Sequence, residues 1–354
     1  MWPPGSGPGI VDEVRTIVFT GAAGPAVAPV VGRVVASLDA HPVIVLAARS
    51  TDVPGTTGHV VDLVDDDLDA HFRGVDVLVH LGCPVDDADP YQRSEGRAVD
   101  EARAVLAAAE RTAVAEVVVV SSALVLGALS SNPVPLTEAA VVHPAPGFRP
   151  AVELAEIERL VAECRDRGQA VTVVRAAPIV ADDAPGWLAA ELHRSLAYPV
   201  ADRDPGLQYL HAEDLGSAIA TVLHAAPGGV VHAAPDGALS GAERRALETR
   251  PRFRVPDQVA HLAASVRSAV SGTGAPEGIR PYLAEEWLLA NDRLRAMGWN
   301  PSHSNEQAYT AAFRAAPWSL VPSGRRQELL LGGAGALAAV AAVGAGLALR
   351  RRQR

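Results

Sequence analysis

Two short stretches carry the residue types best suited to chemistry. The first is Thr20-Gly21-Ala22-Ala23-Gly24, which follows the apolar and β-branched run 16–20. Glycine takes backbone angles that other residues avoid. Two glycines at this spacing allow backbone N–H groups to approach an anion at the positive end of a following helix. That arrangement suits a pyrophosphate, as in a dinucleotide-binding βαβ unit. A third glycine would fall at position 27, where this chain has Val27. The second stretch is Ser121-Ser122, after the apolar run 115–120. Ser122 offers a hydroxyl for proton relay, a role that needs a partner base. Its simpler reading is a satisfied hydroxyl at a strand end. His80, His143 and His211 offer imidazoles, each more simply read as structural.

The composition narrows the chemistry. All 31 basic residues are arginine and the chain has no lysine, so no lysine-dependent mechanism can run on it alone. The net charge of −10, with no basic run in the globular part, argues against nucleic acid as a partner. The two cysteines, Cys83 and Cys164, make neither a disulfide framework nor a metal-ligand spacing. No metal site is expected.

Elements that would position these residues alternate along the chain. A strand over 16–20 precedes a helix over 26–38, with Pro25 at its first turn and Pro29 expected to bend or delay it. Apolar runs at 42–47, 59–63 and 75–81 read as strands, with the acidic run Asp65 to Asp67 as a solvated loop. A helix over 97–111 leads to the strand 115–120, and a helix over 151–166 leads to the strand 170–175. This alternation predicts an α/β fold with a Rossmann-like, doubly wound parallel sheet. After about residue 180 the pattern loosens into a smaller mixed α/β region. It holds helices over 185–196 and 212–223, short strands at 208–210 and 228–232, and capping-box signals at Ser240/Glu243 and Ser304/Gln307.

The domain reading is a flexible leader over 1–13, a dinucleotide-binding domain over 14–180 and a smaller substrate-type region over 181–318. A linker over 319–328, an apolar segment over 329–349 and a basic tail over 350–354 follow. Residues 329–349 contain Leu, Val, Ala and Gly without a charge, flanked by arginines. About 20 such residues span a bilayer as a helix, so the expectation is a C-terminal transmembrane helix. The start of the chain lacks an apolar signal-peptide core. The globular part is therefore expected to be cytoplasmic and anchored at its C-terminus.

Several segments, in order, resemble the NAD-dependent epimerase/dehydratase family of extended short-chain dehydrogenases/reductases. The resemblance covers residues 15–318. The Gly21–Gly24 turn resembles the family's cofactor turn. Asp62-Leu63 resembles its adenine-holding pair, although Asp62 also reads as a strand-end cap. Val79-His80-Leu81-Gly82-Cys83 resembles the segment whose backbone passes along the cofactor. Ser121-Ser122-Ala123-Leu124-Val125-Leu126-Gly127 resembles Ser-Ser-x-x-Val-Tyr-Gly. Tyr209-Leu210-His211-Ala212-Glu213-Asp214-Leu215 resembles Val-His-x-x-Asp-Leu, and Met297-Gly298-Trp299-Asn300-Pro301 resembles Leu-Gly-Trp-x-Pro.

The resemblance implies NAD or NADP as cofactor and a nucleotide sugar as a partner, and leaves a homodimer open. The cofactor residues it implies are Gly21, Ala22, Ala23, Gly24, Arg49, Asp62, Leu63, Leu81, Gly82, Cys83 and Ser121. Arg49 would take a 2′-phosphate, and Ala48 stands where an acid would hold the ribose of NAD. Both favour NADP. The family's catalytic Tyr-x-x-x-Lys is missing. Glu158 matches the family's Glu four residues after that lysine, and counting back puts Leu154 at the lysine and Pro150 at the tyrosine. Of the catalytic trio only Ser122 remains. The chain resembles an atypical branch of the family without Tyr-x-x-x-Lys. The expectation is a catalytically reduced binding protein, against an active epimerase or oxidoreductase with a non-standard acid/base.

Overall fold

The computed structural model describes residues 14–21, 24–38, 41–82, 90–196, 204–247, 276 and 278–313. In chain order its strands are β1 (Ile17–Thr20), β2 (Val43–Ala47), β3 (Thr57–Val60), β4 (Val77–His80), β5 (Glu116–Ser122), β6 (Ala170–Ala176), β7 (Ile179–Ala181), β8 (Ala184–Pro185), β9 (Leu210–His211) and β10 (Gly229–Ala233). Seven of them form one parallel sheet in the order β10-β6-β5-β4-β1-β2-β3. The small sheet β8-β7-β9 lies beside it.

The sheet is held by apolar runs covered on both faces. Every residue of β1, β4 and β5 is buried, as strands in the middle of a parallel sheet must be. The helices Val27–Ser37 and Ala212–Ala225 pack against one another, and Arg97–Arg111 packs against Arg149–Asp166. At roughly 1.5–3 kcal/mol for each fully buried Val or Leu, this sandwich is the main favourable term in folding. β3 is the exception, exposed at all four residues and at the sheet edge.

The chain order reverses between β1 and β4. β2 and β3 extend the sheet on one side of β1, while β4, β5 and β6 extend it on the other. Ligands of open α/β sheets bind outside the carboxyl ends of the strands at such a switch point. Here those ends are Thr20, which pairs with both Leu46 and His80.

Several elements differ from the sequence reading. The third strand is Thr57–Val60, not 59–63, because Asp62 already holds a turn: its carboxylate accepts from the N–H groups of Val64 and Asp65. The acidic run does more than meet solvent. Asp67 caps a short helix, Leu68–Phe72, by accepting from Asp69 N at 3.1 Å. The first helix starts at Val27, so Pro29 falls within the first turn. Its missing N–H would have had no helical partner there, and the helix is neither delayed nor broken. Both capping boxes form, at Ser240/Glu243 and Ser304/Gln307. Ala22, Ala23, Cys83 and the apolar segment 329–349 lie outside the described residues. Among the described residues no helix is long and apolar enough to cross a membrane.

Candidate functional site

Gly21 sits at the switch point with a φ of +92°. A Cβ added there would stand 2.5 Å from His80 Cε1, 2.8 Å from His80 Nδ1 and 3.1 Å from Gly82 N. The turn is therefore closed to any side chain from below. His80, at the end of β4, hydrogen-bonds Thr20 Oγ1 through Nδ1 at 3.0 Å, tying the two central strands together where the chain order reverses. Val27 N donates to Gly24 O at 3.1 Å as the helix begins. That helix has no side-chain cap at Ala26, and the Gly24 carbonyl takes the N–H of its first residue.

His80 is a support for the turn rather than an acid or base. Burial, reinforced by the Arg93 charge, pushes its pKa from 6.5 down to about 4, so the ring is neutral at pH 7. The consequence is a pH dependence of stability. The unfolded chain binds a proton below about pH 6.5, whereas the folded protein binds it only near pH 4. This contribution is complete above pH 6.5 and is lost as pH falls towards 4, about 3 kcal/mol in all. Unfolding in urea at pH 7 and pH 4.5 should show most of that loss, and His80→Asn should remove it. An unchanged stability across that interval would contradict the assignment.

The resemblance sets Arg49, Asp62 and Leu63 at the adenine end. Arg49 follows β2 and is exposed, on the carboxyl edge of the sheet where a 2′-phosphate could be met. Asp62 Oδ1 accepts from Val64 N at 2.9 Å, Asp65 N at 3.1 Å and Arg97 at 2.5 Å. The two turn amides, then Arg97, lower its pKa. Asp62 thus acts as the strand-end cap, and Leu63 beside it is buried. Leu81 is buried too, its N–H donating to Thr20 O at 2.9 Å. Gly82 continues from it with a φ of +59°.

Ser121 and Ser122 point to opposite sides, as adjacent strand residues do. Ser121 Oγ donates to Glu158 Oε1 at 2.6 Å. Glu158 in turn receives Arg175, whose Nη2 lies 2.7 Å from Oε2 and whose Nε lies 3.0 Å from Oε1. Arg175 pairs in register with Ser121 on β5 and with His232 on β10, and all four residues are buried. Sequence reasoning used Glu158 only as a marker and missed this network. The available signal was an arginine inside the apolar run 170–176, which demands a buried acid.

Ser122 faces a narrow cleft. Its Oγ accepts from Leu124 N at 3.3 Å. Pro150 and Leu154, which the sequence reading set against the family's tyrosine and lysine, line the same cleft, together with Ile179, Trp187 and Leu188. The helix carrying them begins at Arg149, after Phe148. Phe148 is fully buried against Trp187 and Tyr282. Arg149 turns away from the cleft. It donates to the carbonyl of Pro90, lies 4.8 Å over the Tyr91 ring and stands 3.8 Å from Glu153. The ion pair with Glu153 leaves neither charge at Ser122. No acid or base side chain lines the cleft among the described residues.

His211 and His303 stack at 3.9 Å between ring centroids, near Glu213. These three could be taken for metal ligands. Stacked rings, however, point their lone pairs along nearly parallel planes and cannot share an ion as they stand. His211 Nδ1 already accepts from Glu213 N at 3.3 Å, and His303 Nδ1 meets Asp214 at 3.0 Å. The cluster ties the helix Ala212–Ala225 to the segment before Asn305–Ala312.

No protein-family model and no curated protein matches the chain. Solved structures do. The UDP-glucose 4-epimerase of Thermus thermophilus, in complex with NAD, superposes with a TM-score of 0.60 at 18% identity, over 84% of this chain and 97% of that one. The dTDP-glucose 4,6-dehydratase of Streptomyces venezuelae, with NAD bound, gives 0.61 at 19%, over 84% and 96%. The UDP-glucose 4-epimerase of Thermotoga maritima, with UDP-glucose, gives 0.62 at 16%, over 86% and 100%. At these identities the likeness is one of fold, and it agrees with the order of motifs in the sequence. The chain has the fold of the nucleotide-sugar epimerases and dehydratases, that of the extended short-chain dehydrogenases/reductases.

Proposed function

We propose that this chain binds a nicotinamide dinucleotide at the Gly21–Gly24 turn and does not perform tyrosine-driven hydride chemistry. The observation that carries the reading is the cleft, where Ser122 meets Pro150 and Leu154 instead of a hydroxyl and a cation. The pyrophosphate end fits such a cofactor: a turn that a Cβ would fill, beside a helix without a side-chain cap. The proteins of like fold crystallised with NAD support the same reading.

When bound, the dinucleotide supplies a carbon that takes or gives hydride. The proton that must move with it is what this chain fails to handle. A free tyrosine has a pKa near 10 and needs a fixed cation beside it to act as a base at pH 7. Pro150 has no hydroxyl, and Leu154 sets an apolar group where a cation would steady the ribose. Arginine could supply charge but not the geometry of a lysine, and Arg149 is engaged at Pro90. Ser122 alone can donate a hydrogen bond but cannot take up a proton at pH 7.

Calorimetric titration should give binding of both dinucleotides, with NADP tighter than NAD and the difference lost in Arg49→Ala. No heat at millimolar ligand would remove the binding reading. Nucleotide sugars and secondary alcohols supplied with either cofactor should give neither nicotinamide absorbance change nor epimerised product. Turnover at an ordinary enzymatic rate, abolished in Ser122→Ala, would instead establish an active enzyme with a rewired acid/base. The role proposed is binding or regulation at a membrane, with residues 329–349 as the anchor. Full-length protein found wholly in the soluble fraction would end that part of it.

A further inference from the structure

We propose that the groove between the helices Val27–Ser37 and Ala212–Ala225 binds a small polyhydroxylated anion, a sugar phosphate or a sugar acid. This is a second site, apart from the dinucleotide reading. Val27–Ser37 leads into β2 and Ala212–Ala225 into β10, both strands of the parallel sheet. The last turns of the two helices therefore lie at the amino ends of the strands, away from the Gly21 turn.

The groove measures about 600 Å³, within the roughly 300–1,000 Å³ of small-molecule sites. Gly216 shapes it. A Cβ there would stand 2.5 Å from Val30 O and 2.7 Å from Arg33 Cβ. Its absence lets the two helices meet and sets Arg33 against the second. The segment 297–300 forms the other wall, pinned by the Trp299 indole N–H, which donates to Ser217 Oγ at 2.9 Å.

The lining pairs donors with acceptors. Arg33 is exposed and has no carboxylate or carbonyl partner among the described residues. Its fork of N–H groups matches the oxygens of a phosphate or carboxylate. Asn300 turns Oδ1 to Arg295, so Nδ2 is the atom left to donate. Other side chains accept. The hydroxyls of Ser37 and Thr221 give their protons to the carbonyls of Arg33 and Ser217, at 2.8 and 2.9 Å. His224 Nδ1 meets Ala220 O at 2.7 Å. A carbonyl only accepts, so Nδ1 carries the proton and Nε2 of the neutral ring holds a lone pair. His224 lies two turns beyond Gly216, roughly 11 Å along the helix. The unpaired cation suits one negative charge, and the three acceptors suit hydroxyls spread along the same ligand. A nucleotide is less well served, because Trp299 is only 2% exposed and offers no face to a base. An apolar anion would strip water from the acceptors and return no hydrogen bond.

Calorimetry on the full chain with glucose 6-phosphate, glucuronate, glucose and inorganic phosphate tests this, with and without saturating NADP. The tighter of the two sugar anions identifies the head group. It is expected to bind about tenfold more tightly than glucose, the worth of a hydrogen bond to a charged group, and about fivefold more tightly than phosphate. Arg33→Gln should reduce it to the glucose value without moving the urea midpoint, as befits an exposed change. Arg33→Lys keeps the charge, loses the fork and should fall between. Thr221→Val should weaken the sugar anion about fivefold and leave phosphate unchanged. Sugar anions no tighter than glucose or phosphate would overturn the proposal. So would an affinity indifferent to Arg33→Gln, or no heat at millimolar ligand. Displacement by NADP would put the anion at the Gly21 turn and overturn it too. Arg33-dependent binding in a protein that fails to bind NADP would uphold the groove and remove the dinucleotide reading. NADP binding without sugar-anion binding would do the opposite.

Discussion

Replacing Gly21 with alanine is expected to cost about 2–4 kcal/mol of stability and at least a hundredfold in dinucleotide affinity. Two causes add. A φ of +92° strains a residue with a Cβ, by roughly 1–2 kcal/mol for a left-handed backbone. The new Cβ would also stand 2.5 Å from His80 Cε1, so ring or turn must move. If the ring moves, the 3.0 Å bond between Thr20 Oγ1 and His80 is lost. A net hydrogen bond is worth about 1 kcal/mol. If the turn moves, its N–H groups leave the positions from which they would meet a pyrophosphate. The double variant Gly21→Ala/His80→Ala separates the causes, because it removes the clash and keeps the strain. Its stability should exceed the sum expected from the two single changes by about 1 kcal/mol or more. Strict additivity, or Gly21→Ala with wild-type affinity, would show that the turn is not the cradle described above.

Removing Glu158 is expected to be the most damaging single change in the core. Arg175 and Glu158 have side chains only 4% and 8% exposed, so each charge depends on the other for solvation. Truncating one partner of a buried pair costs about 3–5 kcal/mol, because the remaining charge is stranded. That is a large share of the 5–15 kcal/mol by which proteins of this kind are stable. Glu158→Ala should therefore lower the urea midpoint severely, or prevent folding. Ser121→Ala removes only one hydrogen bond to Glu158 Oε1 and should cost about 1 kcal/mol. If Glu158→Ala cost no more than Ser121→Ala, Arg175 would have to be solvated by water in the folded protein. The double variant Glu158→Leu/Arg175→Met replaces the pair by apolar groups of similar size and should recover much of the loss.

The two expectations live on different links of the chain from sequence to function. Gly21 acts through backbone geometry at the mouth of the site. Glu158 acts through burial, one layer behind Ser122. Glu158 meets the end of β5, where Ser121 faces the core network and Ser122 faces the cleft.

The sequence by itself determined the alternation of strands and helices up to β6, because apolar runs between polar and glycine turns leave few alternatives to a parallel sheet; it missed the helix Leu68–Phe72 and the strands β7 and β8. It also located the Gly21 turn, which depends on local spacing alone. Asp62 was harder. Its cap on the turn is local, but Arg97, which also holds its carboxylate, lies 35 positions further along. Which face each serine takes was not legible either, since adjacent strand residues alternate and a shift of one reverses them. The pairing of Arg175 with Glu158, the seat of His80 under Gly21 and the closure of the cleft by Trp187 join residues far apart in the chain. Such contacts carry no local periodicity. They exist only once the sheet has brought the ends of β1, β4, β5 and β6 to one edge, and there the tertiary structure alone decided that Ser122 faces apolar groups rather than an acid or a base.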